Sequence, residues 1–243
     1  MIKFFRKIRQ KLIDESNLKK YLVYAIGEIL LVMIGILLAL QVNNWNNNKK
    51  DNIQAQKVLL ALHDEFKQNK VQLFKINSYH QRVNNGCKSL LSFVANFDEI
   101  PSKNTMDSIF ADYSYFMTFD PYNSVLNAAI SSGDIHLIKS DSLKTLLSAW
   151  PAMVYDSNEE ERQAKEILFD QKNFYSKFVR EKNLWQSRDK SVFESDYVDL
   201  LKHPDFENKV YFRYTIVREI LNEQKVLMET NNKILAKLKE ELN

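Results

Sequence analysis

The 243-residue chain has four Gly, four Pro, 45% hydrophobic and 12% aromatic residues, so turns are few, elements are long and general disorder is excluded. Its formal net charge of +3 is unevenly placed, because Lys3, Arg6, Lys7, Arg9, Lys11, Lys19 and Lys20 face only Asp14 and Glu15 in the first twenty residues. The remaining chain is close to neutral, which excludes nucleic acid as its partner, and the single cysteine, Cys87, excludes an intrachain disulfide.

Residues 1–20 form a basic segment expected on the cytoplasmic side. Phe4, Phe5, Ile8 and Leu12 fall on one helical stripe with Lys and Arg on the others, a pattern that suits a helix lying on anionic lipid. An ordinary basic flank that sets topology reads equally well, and both readings place this end inside.

Residues 21–42 are apolar apart from Glu28 and the terminal Gln41, and as a helix they span roughly 33 Å, close to the ~30 Å hydrocarbon layer. The stretch is therefore expected to be a transmembrane helix. The basic lead outweighs the far flank, where Lys49 and Lys50 sit beside Asp51, so the N-terminus faces the cytoplasm. The apolar run is longer than a signal peptide's h-region and Ala39-Leu40-Gln41 is a poor cleavage site, which favours an uncleaved signal anchor. Tyr21, Tyr24 and Trp45 are placed as interfacial anchors.

A carboxylate near the middle of a span costs on the order of 2.5–3.5 kcal/mol, so Glu28 is expected to be protonated or partnered. Helical spacing puts Glu28, Val32, Gly35, Ala39 and Val42 on one face, with Gly35 and Ala39 as a small-xxx-small pair. That face is the candidate for self-association or for docking a membrane-protein partner; the competing reading is an acid tolerated alone through local water.

Several of these residues carry a resemblance. The opening Ile-Lys-Phe-Phe-Arg-Lys-Ile-Arg, the Tyr-Ala-Ile-Gly-Glu-Ile motif at 24–29, the run from Ile36 to Gln-Val-Asn-Asn-Trp at 41–45 and Ile-Ser-Ser-Gly-Asp-Ile at 130–135 resemble an uncharacterised bacterial family of single-pass membrane proteins. The likeness is strong over the first fifty residues and looser beyond. It implies a Gram-negative inner-membrane location with a helical periplasmic domain, and it supplies no activity or catalytic residue.

After a polar junction at 43–50 that has no Gly or Pro, residues 51–243 are expected to form the extracytoplasmic domain. Ala55, Leu59, Leu62, Phe66, Asn69, Leu73, Ile76, His80 and Val83 alternate spacings of four and three, a heptad seam that should stop at Asn84-Asn85-Gly86. A separate helix is expected over 88–97, and another from Thr105 as cap through Phe116. Asp120-Pro121 reads as a cap with proline at the first helical position, and Gly133 as that helix's stop. Ser140 or Asp141 should cap a helix that kinks or restarts at Pro151. Glu159, Glu160 and Glu161 read as a solvated face early in a helix running toward Trp185.

Residues 186–204 look irregular, with a short helix around Tyr197–Leu201 and the character of a contact loop. Val210, Tyr214, Val217, Leu221, Gln224, Met228, Asn231, Leu235, Leu238 and Leu242 then give a second coiled-coil-type seam. Two seams of similar length predict an all-α protein: one N-terminal transmembrane helix plus an extracytoplasmic helical bundle whose long first and last helices run antiparallel. Asn69 and Asn231 are candidates for fixing their register.

The chemical inventory is thin. His63, His80, His136 and His203 have no second ligand at metal spacing, there is no phosphate-binding loop and no nucleophile elbow. No catalytic residue, metal or cofactor is assigned. The expectation is a non-catalytic envelope scaffold with the bilayer and a second copy or a membrane protein as partners; the alternative is a ligand-sensing periplasmic domain that signals through a separate membrane partner.

Overall fold

The computed structural model describes residues 18–185 and 190–242. The expectations for the basic segment 1–17 lie outside the described residues, as does the Tyr21 side chain. The described residues are helical with no strand: α1 Leu18–Ala95, α2 Lys103–Ser114, α3 Ser124–Ser132, α4 Asp141–Tyr175, α5 Glu181–Leu184, α6 Tyr197–Leu201 and α7 Pro204–Leu242. Packing divides the chain into two compact units, Met1–Ala55 and Gln56–Asn243.

In the first unit the junction 43–50 is helical, as its lack of Gly and Pro allows. The helix is long and apolar enough to cross a bilayer, by length and composition, and Leu22 to Val42 are exposed except for half-buried Ala25 and Glu28.

The second unit is organised by the 56–95 part of α1 and by α7. Every position of the first seam, from Ala55 to Val83, is buried. The helices run antiparallel: Asn231 Nδ2 donates to the Phe66 carbonyl at 3.2 Å while Asn77 Nδ2 donates to Gln224 Oε1 at 3.4 Å, so rising numbers on α7 meet falling numbers on α1. Asn231 thus ties the pair together as its place in the seam suggests. The second seam needs a rotation. The buried stripe on α7 is Phe206, Val210, Arg213, Val217, Ile220, Gln224, Leu227, Asn231, Ile234 and Leu238, while Tyr214, Leu221, Met228, Leu235 and Leu242 are only half-buried. Four of the expected positions shift by one residue, Arg213, Ile220, Leu227 and Ile234 taking the places expected for Tyr214, Leu221, Met228 and Leu235.

Two apolar clusters fill the bundle. One joins Leu59, Leu62, Phe66 and Ile76 to Phe119, Leu126, Leu147, Trp150 and Leu227. The other joins Val83, Cys87 and Leu90 to Phe110, Tyr113, Tyr175, Tyr197, Phe206 and Val217. Cys87 is wholly buried and burial pushes its thiol up to about 12, in keeping with an inert core residue.

The boundaries correct several expectations. α1 does not stop at Gly86 but continues to Ala95, so no separate 88–97 helix exists. Gly86 serves close approach instead: a Cβ there would lie 2.9 Å from the Tyr113 nitrogen and 3.2 Å from the Ile109 oxygen, both backbone atoms of α2. α2 is capped by Ser102, whose hydroxyl accepts from the Thr105 N–H, and ends at Ser114 rather than Phe116. Asp120-Pro121 does not start α3, which begins at Ser124; Gly133, at φ 80°, closes it as expected. Ser140 caps α4, which runs through Pro151 without a restart because one missing N–H on the exposed side does not end a long packed helix. α6 falls where the short helix was expected.

Replacing Gly86 by Ala usually helps an open helix by about 1 kcal/mol. Here the added methyl meets backbone, so Gly86→Ala is expected to lose about 1–3 kcal/mol in chemical denaturation, with α1 and α2 forced apart.

Candidate functional site

Between α2 and α3 the chain runs through 115–123 without helix, and its backbone groups have no regular neighbours to bond. Side chains from three long helices meet them. Along one face of α1, Asn69 Nδ2 donates to the Tyr122 carbonyl and its Oδ1 accepts from the Tyr122 N–H, both at 2.8 Å. Gln72 Nε2 donates to the Asp120 carbonyl at 2.8 Å, and His80 Nε2 lies 3.1 Å from the Met117 carbonyl. From α7, the buried Arg213 donates to the Tyr113 carbonyl at 2.8 Å and the Tyr115 carbonyl at 2.7 Å. From α4, Glu161 Oε2 accepts from the Phe119 N–H at 2.8 Å.

The same device starts α3. Its own first turn offers no side-chain cap, and Glu65 of α1 supplies one: Oε2 accepts from the Val125 N–H at 2.7 Å and Oε1 from the Leu126 N–H at 3.0 Å. A carboxylate at a helix N-terminus is favoured by both the orphan donors and the dipole. Glu65→Ala is therefore expected to cost about 1–3 kcal/mol in urea unfolding, with amide exchange quickened first at Val125 and Leu126.

At the junction of the two clusters, Gln224 Nε2 donates to Glu161 Oε1 at 2.9 Å and to His80 Nδ1 at 2.7 Å. With Nδ1 accepting, the ring is neutral and its proton sits on Nε2, facing Met117. Burial lowers the pKa of His80, and nearby Arg213 lowers it further. Glu161 is fully buried, so the solvated face expected for Glu159–Glu161 is overturned at this residue. Its register on α4 aims it inward, between Ser157 and Ala164, which are also buried. Burial pushes its carboxyl up to about 7 against the donation of Phe119 and Gln224. Glu223, by burial and the neighbouring Glu160 carboxyl, is likewise raised to about 7.

The signs follow. Glu161 holds its proton more tightly folded than unfolded, so stability falls as pH rises from the ordinary 4.5 through about 7. His80, lowered from 6.5, acts oppositely, and only as pH falls below that value. Above pH 6.5 Glu161 therefore decides, with Glu223 adding in the same direction. Stability is expected to fall by about 1 kcal/mol between pH 6.5 and 8 through Glu161, a slope that Glu161→Gln removes in denaturation curves across that range.

Among the described residues no group of three His, Cys, Asp or Glu is arranged to hold a metal ion. His63 is half-buried beside Asp64 at 3.7 Å. A groove of about 820 Å³ runs along α1 and α7, lined by His63, Lys67, Lys70, Val71, Phe74, Met228, Leu235, Ala236 and Lys239. Sequence reasoning missed it, because its α1 residues lie off the first seam and its two walls come from helices far apart in the chain.

The membrane-helix candidates all lie on α1: Glu28 is half-buried, and Val32, Gly35 and Ala39 are exposed. A Cβ built on Gly35 meets nothing within 4 Å. Tyr24 and Trp45 are exposed, with Lys49 Nζ 5.8 Å from the Trp45 ring centre.

The family model of DUF6090, a family of unknown function, matches residues 28–209. The chain belongs to this family. The matched span contains both Gln-Val-Asn-Asn-Trp and the 130–135 stretch. In that stretch Gly133 ends α3 in a left-handed conformation and Ile135 turns back into the core, so its role in this DUF6090 chain is a helix stop. No curated protein and no solved structure matches the chain.

Proposed function

We propose that this DUF6090 protein is a non-catalytic scaffold of the cell envelope, anchored in the bacterial inner membrane by residues 21–42 with its N-terminus cytoplasmic and 51–243 periplasmic. The observation that carries the reading is the face of Glu28, Val32, Gly35 and Ala39, where Gly35 is open to close approach by a second helix. A protonated Glu28 hydrogen-bonds across such an interface, which offsets the cost of an acid in hydrocarbon. The use of Glu65, Asn69, His80, Glu161 and Arg213 to hold backbone supports a structural rather than catalytic interior.

In membranes, single cysteines placed along this face are expected to crosslink to a second copy or to one membrane-protein partner, and Glu28→Leu to reduce the yield at least several-fold. Unchanged crosslinking in Glu28→Leu would sink the reading. A second reading, ligand sensing through a separate membrane partner, is favoured by the groove between α1 and α7.

A further inference from the structure

Gln224 links two buried titratable side chains, and its carboxamide has two unlike ends. Nε2 gives one hydrogen to Glu161 Oε1 at 2.9 Å and the other to His80 Nδ1 at 2.7 Å. Both atoms must then be unprotonated, so this is the arrangement of an ionised Glu161 and a neutral His80. All three residues belong to the second unit, on α4, α7 and α1.

Backbone fixes the outer ends of this chain of bonds. The Phe119 N–H donates to Glu161 Oε2 at 2.8 Å, which keeps that oxygen an acceptor and directs any added proton to Oε1, facing Gln224. The Met117 carbonyl lies 3.1 Å from His80 Nε2, which keeps the hydrogen there and directs any added proton to Nδ1, also facing Gln224. Either proton alone meets the wrong group. A proton on Nδ1 opposes the Nε2–H of Gln224, and a proton on Oε1 does the same unless the carboxamide turns over, whereupon its oxygen opposes a bare Nδ1. Two protons with an inverted carboxamide restore every bond, Gln224 Oε1 accepting from both. The other end of Gln224 is lightly held, by the half-buried Asn77 at 3.4 Å, an amide that can turn over with it.

The surrounding charges oppose one another. Asp120 of the 115–123 segment faces Glu161 and favours its proton, whereas Arg213 of α7 faces His80 and disfavours one there. Arg213 gives its hydrogen bonds to the Tyr113, Tyr115 and Ala164 carbonyls, and Glu160 and Glu223 sit half-buried at the adjoining positions of α4 and α7. The competing acceptor for a Glu161 proton is the buried, unpartnered Ser157 Oγ, one turn earlier on α4.

We propose that Glu161, Gln224 and His80 form a two-proton switch, in which the Gln224 carboxamide inverts as Glu161 and His80 gain their protons together. The switch moves the charged anchor of the 115–123 segment. An ionised Glu161 holds the Phe119 N–H in one state and a cationic His80 holds the Met117 carbonyl in the other, the charge-assisted bond being the stronger in each.

The test is solid-state NMR of the full chain in phosphatidylcholine bilayers with ring-15N histidine, His80 being assigned by replacing His63, His136 and His203, together with difference infrared spectroscopy of the Glu161 carboxylic band. From about pH 8 to about pH 5, Nδ1 of His80 should gain a hydrogen while Nε2 keeps its own. The His80 and Glu161 midpoints should agree within about 0.3 pH unit, with a Hill coefficient above about 1.5. In Glu161→Gln the Phe119 N–H holds the new carboxamide with its NH2 toward Gln224, which locks the inversion. The His80 midpoint should therefore rise toward 6.5, by about 0.5 pH unit or about three-fold in proton affinity, where loss of a negative charge alone would lower it. Gln224→Met should separate the two midpoints and return both slopes to one. Wider separation in the unaltered chain, an unchanged or lowered His80 midpoint in Glu161→Gln, or a coupled step abolished by Ser157→Ala each overturn the proposal. Should Gln224→Met lose its helical circular dichroism, the unaltered chain and Glu161→Gln decide without it.

Discussion

Buried backbone without a helix to satisfy it is the constraint on which the second unit depends. A peptide group removed from water without a partner costs on the order of 1–3 kcal/mol, and the segment 115–123 brings several such groups against the bundle. A helical core has no free backbone to offer them, so side chains must. Asn69, Gln72 and His80 on α1, Glu161 on α4 and Arg213 on α7 meet that need, and Glu65 does the same for the first turn of α3. They arrive from three helices far apart in the chain, which makes the segment a cross-tie between helices rather than a simple connection.

The same constraint explains what was legible in the sequence. α1 was readable because its seam alternates spacings of four and three, and all nine expected positions are inside. Asn69 and His80 looked like interruptions of that seam, whereas they are the points at which it holds the 115–123 backbone. Glu161 was misread, and Arg213 left out of the seam, for a related reason. Spacing rules sort charge to the outside, and they cannot represent a charge whose partners are carbonyls and amides over forty residues away.

Glycine and proline misled in a different way. Gly86 has the local chemistry of a helix stop, and Asn84-Asn85 before it strengthens that reading, but local propensity is worth only about 1 kcal/mol and tertiary packing exceeds it. α1 gains more by continuing to bury Cys87 and Leu90 in the cluster with Phe110 and Tyr113. Pro151 is overridden by the same means, since α4 buries Trp150 and Val154 on either side of it. By contrast Gly133 behaves as read, because a left-handed residue at φ 80° is a backbone requirement that packing does not relax.

These preferences also bear on where function resides. The polar interior is spent on holding backbone, and Glu161 and His80 are linked through Gln224. The exterior is ordered differently. Asp156, Glu160, Glu219 and Glu223 crowd together closely enough to raise Glu223, while the groove between α1 and α7 collects lysines without an acid in its lining. Charges arranged for stability interleave their signs at helical spacing, so segregation of this kind opposes folding stability. A surface that keeps like charges together despite that cost is not arranged for folding stability alone.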